Sequence, residues 1–274
     1  MARIKHSGNR GRRGPGRRNA GRQRDRRRPA VEAPLRLWGR HAVQAALDNP
    51  LRPCLRLLAT TEGLESLGPA GPSAPDAAAD PAVDIVAADR ETLDGLVPPG
   101  AVHQGLVLEA GALPAVDPAT LTGAGPGVLV LLDRISDPRN LGAVLRSARA
   151  FGARGVIVPD RHAPPASGTV ARAAAGALET VPLVRVANVA RMLERLAEEG
   201  FWRIGLEAGA EGSLADADAG DRVVLVLGEE GSGLRRLTRE HCDFLARIPI
   251  RPEAGSLNLS NAAAIALYEV TRSA

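Results

Sequence analysis

Two uninterrupted apolar runs mark the chain, GVLVLLD (127–133) and VVLVL (223–227). A strand covered on both faces needs apolar side chains at every position, so both runs read as buried strands of a parallel sheet. GVIVPD, FWRIGLEA and the stretch from Leu245 to Ile250 read as further strands. Between them the apolar residues recur at helical spacing. LGAVLRSARAFG places Leu141, Val144, Leu145 and Ala148 on one face, ANVARMLERLAEEG is amphipathic up to Gly200, a short helix follows the glycines near 230, and an alanine-rich helix begins near Ser260. This alternation through residue 250 predicts an α/β fold with a doubly wound, mostly parallel sheet over residues 127–274.

A smaller α/β unit is expected over residues 33–110. LWGRHAVQAALDN reads as a helix with Val43, Ala46 and Leu47 on its apolar face, CLRLLAT and VDIVAA as strands, RETLDGLV as a helix and QGLVLEA as a closing strand. His103 and Gln104 open that last strand, polar residues at a strand end that are candidates for contact with a partner. The stretch from Pro69 to Pro81 reads as a surface loop, and residues 111–126 as a linker between the two domains.

Charge adds a third region. Residues 1–30 hold 12 of the 35 basic residues but one of the 31 acidic ones, and the rest of the chain is acidic on balance. Dense in Arg, Gly and Pro and without apolar periodicity, residues 1–32 are expected to be a disordered tail that attracts nucleic acid through its charge. Aromatic residues are 2% of the chain, so the core must be built from Ala, Val, Leu and Ile. There is no apolar run of membrane-spanning length and no apolar stretch after the basic start, so a cytoplasmic location is expected. Cys54 and Cys242 lie far apart and the five histidines are scattered, which predicts reduced structural cysteines and no metal site.

The candidate chemistry sits on two loops that follow strands, where open α/β sheets bind their ligands. Gly228, Gly231 and Gly233 fit neither a dinucleotide fingerprint nor a phosphate loop, and by themselves read as a strand-to-helix turn. The second loop crowds Ser256, Asn258, Ser260 and Asn261 before the closing helix. Ser260 or Asn261 is a natural N-cap, which leaves the other polar side chains without a structural reason. On the helix from Leu141, Arg146 points off the apolar face, with Gly142 and Ala150 leaving room beside it.

LVLGEEGSGLRRLT, IPI followed by SLNLSNAAAIALYE, and DPRNLGAVLRSARAFGA together resemble the three motifs of the SpoU/TrmH family, in a match that covers residues 35 to 272. These are S-adenosyl-L-methionine-dependent RNA ribose 2′-O-methyltransferases with the knotted SPOUT fold, a trefoil knot in a doubly wound sheet. LTREHCDFLARIPI is similar to the branch that methylates a guanosine of 23S ribosomal RNA, and WGRHAVQAAL with VHQGLVLEA to that branch's small RNA-binding domain. The resemblance implies a catalytic set of Asn140, Arg146, Glu229, Ser256 and Asn258, with Glu229 supporting the arginine. It further implies cofactor contacts at Gly228, Ile248 and Leu257, a homodimer packed on the closing helix, and an RNA partner. A guanidinium stays protonated, so Arg146 is expected to orient and stabilise rather than act as base. The other readings are a transfer-RNA ribose methyltransferase and a non-catalytic RNA-binding protein on the same fold.

Overall fold

The computed structural model describes residues 34–68, 83–217 and 220–272. The basic tail and the Pro/Ala-rich loop expected from the sequence lie outside them. Strands β5 (Gly127–Leu132) and β10 (Arg222–Leu227) pair in parallel at the middle of a seven-stranded sheet. The sheet is completed by β6 (Gly155–Pro159), β7 (Leu183–Val186), β8 (Trp202–Leu206), β9 (Gly212–Ser213) and β11 (Phe244–Arg247), in the order β7-β6-β5-β10-β8-β11-β9. Every pairing in it is parallel.

The two apolar runs are explained by their neighbours. Val128, Val130 and Leu132 of β5, with Val223, Leu225 and Leu227 of β10, face a core that contains Leu141, Val144 and Leu145 of α4 (Pro138–Ala150) and Ala263, Ala266 and Leu267 of α8 (Leu259–Thr271). The alternate residues Leu129, Leu131, Val224 and Val226 face Met192, Leu193 and Leu196 of α6 (Val189–Glu198) on the other side. Each buried leucine here stabilises the fold by about 1.5–3 kcal/mol. Helix α4 also packs on α5 (Gly168–Ala174) at van der Waals distance. A Cβ added to Gly142 would stand 2.5 Å from the Ala173 Cβ and 2.6 Å from the Val170 carbonyl oxygen. Beside Arg146, the room left by this small residue is filled by another helix.

The small sheet runs β1 (Leu35–Trp38), β4 (Leu106–Ala110), β2 (Cys54–Ala59), β3 (Asp84–Ala87), with β4 antiparallel to both neighbours and β2 parallel to β3. Its helices are α1 (Arg40–Leu47), α2 (Thr61–Leu67) and α3 (Arg90–Asp94). The helix expected from Leu37 therefore starts later, because Leu37 and Trp38 are strand residues. Gly39, with φ of 83°, turns the chain out of the ladder. Helix α2 was not expected; Thr60 caps it by accepting from the Gly63 N–H.

The two sheets share one core, in which Leu37, Val43, Leu57 and Leu108 join Val170, Ala171 and Ala174 of α5. A buried ion pair fixes the junction. Arg52 donates to Glu179 at 3.0 and 2.6 Å and to the Gly111 carbonyl at 2.9 Å, while Asn49 donates to Glu179 at 2.9 Å. Within the stretch read as a linker, Asp117 caps a 3₁₀ turn (Pro118–Thr122) whose Leu121 is buried beside α6. Arg154 and Arg222 donate to the carbonyls that follow, and the Arg222 guanidinium lies 4.2 Å from the centre of the Phe201 ring.

Candidate functional site

After Leu227 the chain folds back on itself. The Gly233 N–H donates to the Glu229 carbonyl at 2.9 Å, and a Cβ on Gly228 would lie 2.1 Å from the Gly233 carbonyl carbon. Gly231 and Gly233 have φ of 84° and 68°, which glycine adopts without strain. These glycines thus build the turn itself. The turn is anchored at α7 (Arg236–Glu240) by the buried Asp133 at the end of β5. Asp133 accepts from the Arg235 backbone at 2.8 Å, from its guanidinium at 2.9 Å and from the Thr238 hydroxyl at 2.7 Å. Hydrogen bonding to this carboxylate holds the Arg235 pKa above its ordinary value.

The second loop leaves β11 at Arg247, earlier than the strand end expected at Ile250, and enters α8 at Leu259. Asn258, rather than Ser260 or Asn261, is the N-cap. Its Oδ1 accepts from the Ser260 N–H at 2.9 Å and hydroxyl at 2.6 Å, which engages the side chain expected to cap. The Asn258 amide also donates to Asn140 Oδ1 at 3.1 Å, tying the start of α8 to the start of α4.

Between the two loops lies a cleft of about 200 Å³ at the carboxyl end of β10. Gly228, Ile248 and Leu257, the three cofactor candidates, all line it, together with Glu229 and Ser256. Its floor is apolar, with Leu206, Leu227, Ile250 and Leu259. That surface suits a flat heterocycle, and the Glu207 carboxylate at the edge suits hydroxyl or ammonium groups. Glu207 pairs with Arg239 at 3.1 Å. It was not anticipated from the sequence, where it sits at the end of an ordinary strand.

The catalytic candidates separate into two groups. Ser256 and Glu229 line the cleft, and Asn258, hydrogen-bonded to Asn140, lies between its lining residues Leu257 and Leu259. Glu229 does not meet Arg146 within the chain. It faces Arg134 and Ser136 at 3.4 Å each, because these follow β5, the neighbour of β10 in the sheet. Arg146 stands six residues beyond Asn140, about 9 Å along α4 at 1.5 Å per residue. It is exposed in a second, groove-like depression of about 600 Å³ with Arg149, Arg172, His41 and Gln104. Of the two candidates at the start of β4, only Gln104 is available at a surface. His103 is buried, its Nδ1 accepting from the Gly105 N–H at 3.1 Å and its Nε2 lying 3.2 Å from Asp94.

Cys242 is half-buried beside the second core cluster, and burial pushes its thiol pKa up to about 12. Among the described residues no group of three or more His, Cys, Asp or Glu side chains could hold a metal ion, and no helix is long and apolar enough to cross a membrane.

Residues 127–268 match the SpoU rRNA methylase family, and residues 36–115 match the domain described as RNA 2′-O ribose methyltransferase substrate binding. RlmB of Pseudomonas aeruginosa, a 23S rRNA (guanosine-2′-O-)-methyltransferase, is 39% identical over 249 residues, covering 86% of this chain and 96% of that protein. An uncharacterized tRNA/rRNA methyltransferase of Synechocystis is 41% identical over 251 residues, and this chain spans 64% of its length. Among solved structures, the SpoU methyltransferase AviRb from Streptomyces viridochromogenes in complex with AdoMet matches with a TM-score of 0.71 and 25% identity, over 88% of this chain and 90% of that one.

Proposed function

The chain belongs to the SpoU rRNA methylase family, and from that premise we propose that it transfers the methyl group of S-adenosyl-L-methionine to a ribose 2′-hydroxyl of ribosomal RNA, on a guanosine of the 23S molecule. The observation that carries this reading is the meeting of Gly228, Ile248, Leu257 and Ser256 in one cleft, beside an asparagine pair that reaches α4.

The sulfonium methyl supplies a good electrophile when the cofactor is bound. The chain's own task is to hold a poorly nucleophilic hydroxyl in line with it. The apolar floor of the cleft excludes water around the reacting carbon. The Asn140–Asn258 hydrogen bond fixes the entry to α8, so Ser256 and Leu257 keep one position relative to α4. Arg146 stabilises the developing alkoxide as a permanent positive charge, and the hydroxyl proton passes to water.

A homodimer is part of the same reading. On α8, Ile265 and Tyr268 are 42% and 56% exposed, an apolar face that a second copy would cover. The Phe151 and Tyr268 rings meet edge to face at 6.2 Å, so the far ends of α4 and α8 lie together. A dimer packed through α8 is the arrangement that would let Arg146 of one copy reach the cleft of its partner. The trefoil knot of the family fold and a cytoplasmic location complete the proposal. The knot is supported by the way residues 248–271 return after β11 to lay α8 against α4, β5 and β10.

The test is to incubate ribosomal and transfer RNA from a strain lacking the gene with the enzyme and radioactive cofactor. Label should appear on a ribose of the large-subunit RNA. Label confined to transfer RNA would overturn the ribosomal assignment, and label on a base would overturn the mechanism.

A further inference from the structure

We propose that Arg149 and Arg172, in the groove they share with Arg146, form a phosphodiester-binding site that grips the RNA backbone next to the target nucleotide, while Arg146 keeps its place at the reacting hydroxyl. The proposal rests on the RNA methyltransferase reading and adds to it a site apart from the cofactor cleft.

Charge is the first support. Arg146, Arg149 and Arg172 have no ion-pair partner among the described residues, and the lining of the groove holds three arginines and no carboxylate. Arg146 and Arg149 are three apart on α4 and share a face. Arg172 comes from α5, which the close approach at Gly142 holds against α4. The Arg149 and Arg172 guanidinium forks on one groove of about 600 Å³ suit the paired oxygens of phosphodiesters, which they bind two hydrogen bonds at a time.

The second support is backbone strain. Among the described residues three that are not glycine have positive φ, and two of them, Gln104 at 55° and Ala175 at 49°, line this groove. Such conformations persist where the surroundings enforce them, and they gather at functional sites. Gln104 is held by its side chain, whose Oε1 accepts the Arg40 N–H at 3.1 Å and so serves α1 where Gly39 offers no side-chain cap. Ala175 leads into Gly176, where a Cβ would stand 2.9 Å from the Ala45 Cβ of α1.

Rigidity is the third. One wall of the groove comes from α1 and the turn before β4, and the other from α4 and α5. The Arg172 side chain rests on Gly39, where a Cβ would lie 2.8 Å from its Nε, and the buried Arg52–Glu179 pair locks the same junction. The Arg172 side chain and the walls of the groove are therefore set before RNA arrives, so less ordering entropy opposes binding.

The site is tested with the full chain and a short fluorescein-labelled single-stranded RNA, by anisotropy across a range of salt. Arg149→Gln should weaken binding roughly tenfold and lower the slope of log K against log salt by about one, and Arg149→Gln with Arg172→Gln should lower the slope by about two. Arg191→Gln removes an exposed charge on α6 and should leave both quantities unchanged. Melting temperature and S-adenosyl-L-methionine affinity are measured on each variant. Arg149, fully on the surface, keeps the test valid even where the double variant is unstable. Wild-type affinity and slope in Arg149→Gln overturn the groove while the methyltransferase reading stands. An equal loss in Arg191→Gln overturns it too, showing charge without a site. A wild-type protein that binds no cofactor and methylates no RNA overturns the parent reading instead.

Discussion

The cleft and the groove are lined by different residues, and they are built on opposite principles. The cleft is made by two loops and the strand ends beneath them, from Leu206 to Ala262, and its character comes from apolar side chains, small residues and backbone. The groove is made by side chains drawn from residues 41 to 175, and its character comes from charge. A site that meets one small ligand can be shaped by turns. A site that meets a polyanion needs unpaired cations on walls that do not yield.

The largest expected effect tests those walls. Glu179→Ala leaves the Arg52 guanidinium buried without its counter-charge, which costs about 3–5 kcal/mol. Chemical denaturation should show this loss, with RNA affinity falling more than cofactor affinity. Next, Arg146→Ala should lower kcat by about a hundredfold or more while calorimetry finds S-adenosyl-L-methionine binding unchanged. A parallel loss of cofactor affinity would mean that the two regions are one site. Gly228→Ala is the converse. The added methyl meets the Gly233 backbone, so the loop must shift at a cost of about 1–3 kcal/mol. Cofactor affinity should fall about tenfold while the salt dependence of RNA binding stays as it was.

The smallest effect lies outside both sites and calibrates them. His241 Nε2 lies 2.9 Å from Glu194, and this hydrogen bond holds the histidine pKa above 6.5. A raised folded-state pKa gives stability that is fully present below about pH 6.5 and is lost as pH rises through the folded value. His241→Gln should therefore be less stable than wild type by under about 1 kcal/mol at pH 6, with the gap closing at higher pH. A gap that widens with pH would refute the assignment.

The cleft was legible because its parts are local. Apolar runs marked β5 and β10, and the motif loops carried Gly228, Ser256 and Leu257 into one place. The groove was not, because nothing in the sequence relates Gln104 to Arg172 until the small sheet docks on α5. The same reason explains the errors. Leu37 and Trp38 looked helical in isolation and became a strand by pairing with β4. Asn258 looked like a spare polar residue and proved to be the cap, since a cap is decided by where the helix starts. Glu229, set beside Arg146 by resemblance, faces Arg134 within the chain because β5 and β10 are neighbours, so a meeting with Arg146 belongs to the proposed dimer.

The pairing of β5 with β10 has a consequence in time. Every residue of the groove precedes position 176, whereas the cleft awaits residue 262. At about 5–20 residues per second of synthesis, several seconds separate the two. Non-local pairings of this kind also fold slowly, since distant segments must meet before any contact rewards them. On a growing chain the side chains of the groove are thus all in place along the sequence while the partners that lock it, Glu179 and the helix α8 packed on α4, are still to come.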